Sequence, residues 1–427
     1  MNSAFEASIE FVQRKDKEDK LARFKNKFFA PHYQNKPVIY FCSNSLGLQP
    51  VTAASAIGQE LLDWQEKAIG GYYGAKNPWL FYQDYFTESL SKLAGCKDSE
   101  VTVMNSLTVN LHLLMISFYN PKPGRYKILM EAGAFPSDQY AVETQVKLHK
   151  QWGNIPAKDE AIIEIFPREG EKLLREEDII SKIEKEGNSI ALVLLGGINY
   201  YTGQFLDIEK ITAAAHKANA IAAFDLAHAI GNVKLNLHEW NVDFAIWCSY
   251  KYLNAGPGAV GGVFIHERFA KDSSLPRLGG WWGNNEETRF KMEKGFIPKD
   301  KASGWNISTA QVFNMAALKA AMEIYDEAGI DSLREKSVQL TGFLEFLMNQ
   351  LTNLEFEIIT PSDPERRGAQ LSLYFKSNGP EILAKMKEAG IVVDYREPGV
   401  IRVAPNPFYN SFEEVFQFYK ILENFRH

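Results

Sequence analysis

Lys251 and Asp225 are the residues whose types and spacing point most directly to chemistry in this chain of 427 residues. Lys251 follows the apolar run Phe244 to Trp247, and Asp225 lies 26 residues earlier, at the end of the run Ala220 to Phe224. Such a pair at the ends of neighbouring buried strands is typical of pyridoxal 5'-phosphate sites, where the lysine amine forms a Schiff base and the carboxylate pairs with the protonated ring nitrogen. The sequence therefore predicts this cofactor, with the freed Lys251 amine moving protons.

Leu107 and Thr108 follow another predicted strand, Val101 to Met104, and begin a helix predicted over Leu107 to Phe118. Free backbone N–H groups at a helix start, together with the Thr108 hydroxyl, can bind a phosphate group. An ordinary helix N-cap is the alternative interpretation.

Phe135, Ser137 and Asp138 follow a third predicted strand. The Phe135 ring can stack on a planar cofactor, and Asp138 either caps the next helix or reaches the polar edge of the cofactor. A hydrophobic staple with a helix cap is the alternative for this segment.

His228 and Tyr250 are the neighbours of the two central residues. His228 can support Asp225 by a hydrogen bond, although a histidine at such a position is often only a core residue. Tyr250 points away from Lys251 if the chain is extended, so we expect it to contact the phosphate from the adjacent turn.

The segment Gly256 to Gly261 matches the G-x-G-x-x-G pattern of dinucleotide-binding proteins. The residues that follow, Gly262 to His266, predict a strand instead of the helix that this fingerprint requires, and no acidic residue ends a strand about 20 positions later. The glycines are better explained by a tight return of the chain beside Lys251.

Strand-like and helix-like segments alternate from about residue 50 to residue 300, which predicts a doubly wound α/β core. Beyond residue 310 two long helical stretches precede separate strand candidates, and this pattern indicates a smaller α+β domain.

The composition argues against several other classes of protein. A net charge of -6 gives no basic surface for nucleic acid, and no apolar stretch is long enough for a membrane span. Residues 1–30 lack the apolar core of a signal peptide, and Cys42, Cys96 and Cys248 have neither disulfide-like nor metal-like spacing. We therefore expect a cytoplasmic enzyme without a bound metal.

Several blocks of this sequence resemble the kynureninase family nearly from end to end. The most specific are Trp247-Cys-Ser-Tyr-Lys-Tyr-Leu-Asn-Ala-Gly256 and Ile401-Arg-Val-Ala-Pro405; others are Phe41-Cys-Ser-Asn-Ser-Leu-Gly-Leu-Gln-Pro50, Met104-Asn-Ser-Leu-Thr-Val-Asn-Leu-His-Leu-Leu-Met115, Ala134-Phe-Pro-Ser-Asp138, Tyr201-Thr-Gly-Gln204, Phe224-Asp-Leu-Ala-His-Ala229, Gly280-Trp-Trp-Gly283 and Thr288-Arg-Phe-Lys-Met292.

The resemblance implies the α/β fold of fold type I pyridoxal-phosphate enzymes, the aspartate aminotransferase superfamily. This fold has a large domain with a mainly parallel seven-stranded sheet (residues 51–310) and a small C-terminal α+β domain (311–427), to which an N-terminal arm (1–50) contributes. It also implies a homodimer with active sites at the interface.

The resemblance further implies roles for individual residues. Lys251 and Tyr250 would be catalytic, and Arg402, Asn44 and Tyr72 would bind the substrate, Arg402 through its α-carboxylate. The cofactor would be held by Leu107, Thr108, Phe135, Ser137, Asp138, Asp225, His228, Tyr250, Lys251, Trp281 and Thr309, with Trp281 and Thr309 supplied by the partner subunit.

The implied reaction is hydrolysis of L-kynurenine to anthranilate and L-alanine, or of 3-hydroxykynurenine to 3-hydroxyanthranilate and L-alanine, in tryptophan catabolism or NAD biosynthesis. Tyr72 and Asn284 stand where animal kynureninases carry histidines, Thr309 replaces an asparagine, and Gly196 replaces a residue with a hydroxyl group. These differences leave the preference between the two substrates open.

Three other functions are compatible with a chain of this kind. A cysteine desulfurase or selenocysteine lyase needs a mobile cysteine in the C-terminal half, and no cysteine follows Cys248. An aminotransferase would release a keto acid, and a cofactor-free binding protein would have no visible absorbance band.

Overall fold

The computed structural model describes residues 5–272 and 274–425. Its α-helices are, in chain order, α1 (Ile9–Glu18), α2 (Ala53–Lys67), α3 (Gly71–Gly74), α4 (Thr87–Ala94), α5 (Leu107–Phe118), α6 (Pro136–Gln151), α7 (Glu176–Glu186), α8 (Ile208–Lys217), α9 (Glu267–Ala270), α10 (Val312–Ala328), α11 (Ile330–Met348), α12 (Gly379–Glu388) and α13 (Phe412–Glu423). Turns of 3-10 helix lie at Ala22–Lys27, Ala68–Gly70, Trp79–Phe86, Asp98–Glu100, Trp281–Gly283, Arg289–Lys291, Ala302–Trp305 and Pro364–Arg366. Among the described residues, no helix combines the length and the apolar character that crossing a membrane requires.

The strands are, in chain order, β1 (Phe28–Phe29), β2 (His32–Tyr33), β3 (Lys36–Pro37), β4 (Ile39–Tyr40), β5 (Gln49–Pro50), β6 (Val101–Met104), β7 (Lys127–Glu131), β8 (Ile162–Ile165), β9 (Ile190–Gly196), β10 (Ile221–Asp225), β11 (Phe244–Cys248), β12 (Gly261–Ile265), β13 (Phe356–Ile358), β14 (Leu371–Phe375), β15 (Ile391–Val392), β16 (Asp394–Arg396) and β17 (Val400–Val403).

The large sheet has seven strands in the order β6-β12-β11-β10-β9-β7-β8, and its predicted mainly parallel arrangement is confirmed. Only β12 runs antiparallel to its neighbours β11 and β6. Both faces of the sheet are buried, since successive residues of β11 alternate between two apolar cores: Phe244 and Ile246 pack into one, Ala245 and Trp247 into the other. This double burial explains why the central strands are continuously apolar in sequence.

The glycine-rich segment before β12 makes the tight return that the sequence predicts. Gly256 and Gly258 have φ angles of 87° and 73°, a region that side chains with a Cβ rarely adopt. The strand β12 follows instead of a helix, which excludes the dinucleotide fingerprint. Within β12, a Cβ on Gly262 would collide with the Trp247 ring, so this glycine makes room for the largest side chain of the sheet core.

A second sheet, β13-β14-β17-β16, is fully antiparallel and packs with α11 and α13 around an aromatic core that includes Phe343 and Phe412. The N-terminal residues join this part of the molecule. Strand β4 pairs with β15, and Phe11 of α1 packs against Phe343 and Phe412. The start of the chain therefore contacts its last hundred residues.

Candidate active site

A cleft lies at the edge of the large sheet where β7, β9, β10 and β11 end, and where α5 and α6 begin. Ligands of open parallel sheets bind at this carboxyl edge. The structure brings nine of the predicted site residues together around the cleft: Leu107, Thr108, Phe135, Ser137, Asp138, Asp225, His228, Tyr250 and Lys251. The other lining residues are Glu131, Gly196, Ile198, Tyr200 and Ala227.

Lys251 and His228 form a buried pair at the centre of the cleft. The Lys251 Nζ lies 3.0 Å from His228 Nε2 and 5.6 Å from the centre of the Phe135 ring. Burial lowers the pKa of His228 well below its ordinary value, and the positive charge of Lys251 lowers it further. The imidazole is therefore neutral and can accept a hydrogen bond from the Lys251 ammonium group.

Asp225 and Asp138 form a pair of hydrogen-bonded carboxyl groups beside Lys251. Burial raises the pKa of both groups; the charge of Asp225 raises the pKa of Asp138 further, while Lys251 opposes the rise for Asp225. Asp138 is thus the protonated member and donates to an Asp225 carboxylate that also accepts from the Ala227 backbone N–H at 2.7 Å. The other Asp138 oxygen, Oδ1, is buried without a hydrogen-bond partner among the described residues.

The opposite end of the cleft is formed by the starts of α5 and α6. The residues before the two helices, Ser106 and Phe135, make no side-chain cap. The first N–H groups of α5 therefore have no capping side chain, whereas α6 begins with Pro136 and its Asp138 N–H donates to the Phe135 carbonyl at 2.9 Å. The hydroxyl groups of Thr108 and Ser137 lie 2.7 Å apart between these helix starts. These hydroxyl donors and the uncapped start of α5 together suit an anion.

Two aromatic side chains border the space between these ends. Phe135 is 41% exposed and meets Tyr200 edge to face, with ring centres 5.4 Å apart, so a face of its ring stays free for stacking. Burial raises the pKa of Tyr250, and the Cys248 thiol to which it hydrogen-bonds raises it further. The Tyr250 phenol therefore keeps its proton at neutral pH.

Arg402 and Asn44 do not line the cleft but lie behind one of its walls. Arg402 is 1% exposed and donates to the Tyr200 carbonyl at 2.7 Å, and it forms an ion pair with Asp394 at 2.7 Å. Asn44 donates to the Gln370 side chain at 2.8 Å, and its Oδ1 has no partner among the described residues.

Trp281, Thr309 and Tyr72 are not brought to the cleft of their own chain. Trp281 is 45% exposed and packs on Trp282, and Thr309 is exposed just before α10. Tyr72 lines a separate, more apolar surface pocket and contacts Trp79 and Trp282.

Glu131 is a cleft residue that the sequence reasoning missed. It ends β7 just as Asp225 ends β10, and this strand-end position was the signal that could have identified it. Its side chain is nearly fully buried and accepts from Asn199 Nδ2 at 3.2 Å. Burial raises the pKa of Glu131 from 4.5 to about 7.

A second cluster of titratable side chains, Glu100, His238 and His266, lies at the other edge of the sheet. Both Glu100 oxygens lie 3.0 Å from His238 Nδ1, and they also accept the backbone N–H groups of Glu267 and Lys97. Because the carboxylate is already bonded on both oxygens, we interpret this cluster as one that ties loops together.

Comparison with known proteins gives relatives that match almost the whole chain. The chain is 50% identical over 420 residues to a kynureninase of Myxococcus xanthus, covering 98% of this chain and 97% of that one. A kynureninase of Koribacter versatilis is 49% identical (97% of each chain), and one of Nematostella vectensis is 44% identical (97% and 93%). A family model described as the kynureninase C-terminal domain matches residues 333–422.

Among solved structures, the fold is similar to that of a C-DES mutant with glycine covalently linked to its PLP cofactor, with a TM-score of 0.75, 18% identity, and coverage of 91% of this chain and 97% of that chain. It is also similar to the cysteine desulfurase CsdA from Escherichia coli, with a TM-score of 0.74, 16% identity, and coverage of 95% and 98%. At these identities the likeness concerns the fold.

Proposed function

Because the chain belongs to the kynureninase family, we propose that it hydrolyses L-kynurenine to anthranilate and L-alanine with pyridoxal 5'-phosphate as its cofactor. The observation that carries the proposal is the Lys251 amine, buried 3.0 Å from a neutral His228 in a cleft that also holds Asp225. 3-Hydroxykynurenine is the second candidate substrate, and its product would be 3-hydroxyanthranilate.

The residues of the cleft offer suitable partners for the ring nitrogen, the phosphate and the ring face of this cofactor. The cofactor supplies an aldehyde that binds amines covalently and a protonated ring that withdraws the electron pair released at the substrate α-carbon. Asp225 offers the carboxylate for the ring nitrogen, the start of α5 with Thr108 and Ser137 offers donors for the phosphate, and Phe135 offers a stacking face. The partnerless Asp138 Oδ1 also calls for a polar ligand in the cleft.

Individual residues of the protein have different roles in the hydrolysis. Lys251 takes the proton from the substrate α-carbon and can return it, and the neutral His228 beside it stabilises the ammonium form. Water must add to the γ-carbonyl before the bond between Cβ and Cγ breaks and releases the anthranilate. Tyr250, whose phenol keeps its proton, is our candidate donor for the alanine-forming carbon.

The role of Tyr250 is tested by replacing it with phenylalanine, which keeps the ring and removes the hydroxyl. We expect Tyr250→Phe to lower kcat by about a hundredfold, since positioned proton donors contribute on that order. The assay contains saturating pyridoxal phosphate, because Tyr250 is also expected to contact the cofactor phosphate. Wild-type turnover by this variant would remove Tyr250 from the mechanism.

We propose that Arg402 binds the substrate α-carboxylate. Asn44, and Tyr72 from its separate pocket, are the other proposed substrate-binding residues. The guanidinium is a planar donor that matches a carboxylate. Its contact with the Tyr200 carbonyl ties it to the wall of the cleft.

A homodimer completes the proposal. Large apolar side chains are exposed along α2, the segment after it, and the segment 278–297: Leu61, Leu62, Trp64, Ile69, Tyr73, Trp281, Phe290, Met292 and Ile297. An apolar surface of this extent is typical of subunit interfaces. Pairing two chains through it would bury Trp281 and bring Trp281 and Thr309 toward the partner's cofactor.

The composition also bears on the cellular location of the enzyme and on its partners. We propose a cytoplasmic protein that does not bind nucleic acid, which the net charge of -6 and three unpaired cysteines support. We also propose the division into an N-terminal arm (1–50), a large cofactor domain (51–310) and a small domain (311–427).

The decisive experiment incubates purified, cofactor-loaded protein separately with L-kynurenine and with 3-hydroxykynurenine. We expect anthranilate fluorescence and an equal amount of alanine from at least one substrate, and no product from a Lys251→Ala control. A keto acid product would indicate an aminotransferase, sulfide from cysteine would indicate a desulfurase, and the lack of a visible cofactor band would indicate a binding protein. Each of these three results, without cleavage of either substrate, would overturn the proposal.

A further inference from the structure

Glu131 lies on the floor of the cofactor cleft, at the ends of three adjacent strands. It ends β7, while Gly196 ends the neighbouring strand β9 and is paired in register with Asp225 at the end of β10. A Cβ placed on Gly196 would lie 3.0 Å from Glu131 Oε1, and the Gly196 backbone N–H donates to the same carboxyl group. The Glu131 side chain thus occupies space that a side chain at position 196 would need.

The charges around Glu131 favour its neutral form. Among the described residues that line the cleft, three carry carboxyl groups, Glu131, Asp138 and Asp225, and Lys251 is the one lysine or arginine. Burial raises the pKa of the Glu131 carboxyl group most strongly, and the negative charge of Asp225 raises it too. The Asn199 amide and the Gly196 backbone N–H donate to this group and lower its pKa, but by less than burial raises it. A cofactor phosphate would add further negative charge, so an ionised Glu131 would be costly in this buried place.

We propose that Glu131 is an additional cofactor-binding residue, whose protonated carboxyl group donates a hydrogen bond into the cleft from the space that Gly196 leaves. The inference rests on the proposed function, since it takes pyridoxal phosphate as the occupant of the cleft. A hydroxyl group on residue 196 and the carboxyl group of Glu131 are then alternative ways to supply one donor.

The proposal is tested by measuring the Kd of apoprotein for pyridoxal phosphate, through the visible absorbance of the bound cofactor. Glu131→Gln keeps a neutral donor, so its Kd should stay within about twofold of the wild-type value. Glu131→Ala removes the donor and should weaken binding by about tenfold, the usual effect of one lost hydrogen bond. Gly196→Ser should weaken binding similarly, because its side chain would displace the carboxyl group.

The double variant Glu131→Ala/Gly196→Ser provides the sharpest comparison. The serine then has room and supplies a hydroxyl, so binding should recover to within about threefold of wild type. Glu131→Ala/Gly196→Ala fills similar space without a donor and should not recover. Glu164→Ala, which removes an exposed glutamate from the adjacent strand β8, is the matched control and should bind normally.

Three results would overturn the proposal. If Glu131→Gln binds the cofactor as poorly as Glu131→Ala, an anion is needed at this position, which contradicts a neutral donor. Additive losses in the serine double variant would contradict the exchange of donors. The third is an unchanged Kd across all variants of a protein that cleaves kynurenine: the role of Glu131 is then wrong and the proposed function stands. If the Kd values change as expected but the wild-type protein cleaves neither L-kynurenine nor 3-hydroxykynurenine, the proposed function is wrong and the role of Glu131 stands.

Discussion

Arg402 is oriented by the protein before a substrate binds. Its Nε and Nη2 contact the two Asp394 oxygens, its Nη1 donates to the Tyr200 carbonyl, and Nη2 also lies 3.0 Å from the Ser45 hydroxyl. Burial would raise the pKa of Asp394, but the hydrogen bond and charge of Arg402 outweigh it and hold that pKa below its usual value. The carboxylate is therefore ionised at neutral pH and keeps the guanidinium in one orientation.

Replacing Arg402 by lysine keeps the charge but removes the planar arrangement of donors. We expect Arg402→Lys to raise KM for kynurenine by about tenfold to a hundredfold, the range for hydrogen bonds to charged groups, with a smaller effect on kcat. Steady-state kinetics measure both values. Arg396→Lys is the matched control, because Arg396 pairs with the same Asp394 while being more exposed. Equal effects of the two substitutions would contradict a substrate-binding role.

Glu131 makes the stability of the apoprotein depend on pH in a defined direction. Its pKa rises from 4.5 to about 7 in the folded state, so between these values the folded protein keeps a proton that the unfolded chain releases. Stability from this group is complete below pH 4.5 and falls as pH rises to about 7, by about 3 kcal/mol in total.

The measurement is the free energy of unfolding of wild type and Glu131→Gln at several pH values across that range. Wild type should lose stability relative to the glutamine variant as pH rises, since glutamine does not titrate. A difference between the two proteins that stays constant with pH would contradict the raised pKa.

Some site residues could be predicted from the sequence and others could not. Lys251, Asp225 and Thr108 were predictable because parallel strands bring their carboxyl ends to one edge, whatever the loops do. Arg402 comes from the distant strand β17, and only the family resemblance pointed to it. Glu131 also ends a parallel strand but was overlooked. Its position in the cleft depends on the space that Gly196 leaves on the neighbouring strand β9, and the sequence does not show which strands are neighbours.

At the level of elements, the buried parallel strands and the helices after them were predicted well. Helix α5 has the predicted bounds. Strand β10 is shifted by one residue from the predicted run Ala220 to Phe224, and β11 extends one residue beyond the predicted run Phe244 to Trp247. Strand β8 was missed: it is an edge strand with a central exposed glutamate, and it lacks the apolar run that identified the inner strands. The pairing of β6 with β12 could not be derived, because it joins segments about 160 residues apart.

The end of α4 depends on a glycine for two separate reasons. Gly95 has a φ of 61°, and a Cβ at this position would collide with the Leu235 carbonyl oxygen. Gly95→Ala should therefore lower the free energy of unfolding by about 3 kcal/mol, combining backbone strain with displacement of the neighbouring loop. Denaturant unfolding measures the loss.

Gly153 provides the control for that substitution. Its φ is 78°, but a Cβ there would meet nothing within 4 Å. Gly153→Ala should then cost only the backbone strain, about 1 kcal/mol. Equal losses for the two variants would show that contact with Leu235 has no energetic effect.

At the level of the whole molecule, the exposed aromatic surface predicts assembly. Trp64 on α2 is 58% exposed and packs on Phe313, with ring centres 6.0 Å apart. A charge placed there should weaken a dimer, so Trp64→Glu should shift the protein toward the monomer and lower its activity at low concentration. Analytical ultracentrifugation measures the mass.

Trp152→Glu is the matched control for the dimer prediction, since Trp152 is similarly exposed but follows α6 at its end away from the cleft. It should leave mass and activity unchanged. A Trp64→Glu variant that remains a fully active dimer would place the subunit contact elsewhere.

The pairing of β4 with β15 also has a consequence for the order in which the chain acquires its structure. Ile39 and Tyr40 pair with Ile391 and Val392, so strand β4 has no partner strand until nearly all of the chain has left the ribosome. Strand β6 similarly waits for β12. Contacts this distant in sequence slow folding, because a long loop must close before they form. The nascent chain therefore spends most of its synthesis with β4 unpaired and its backbone groups open to chaperones.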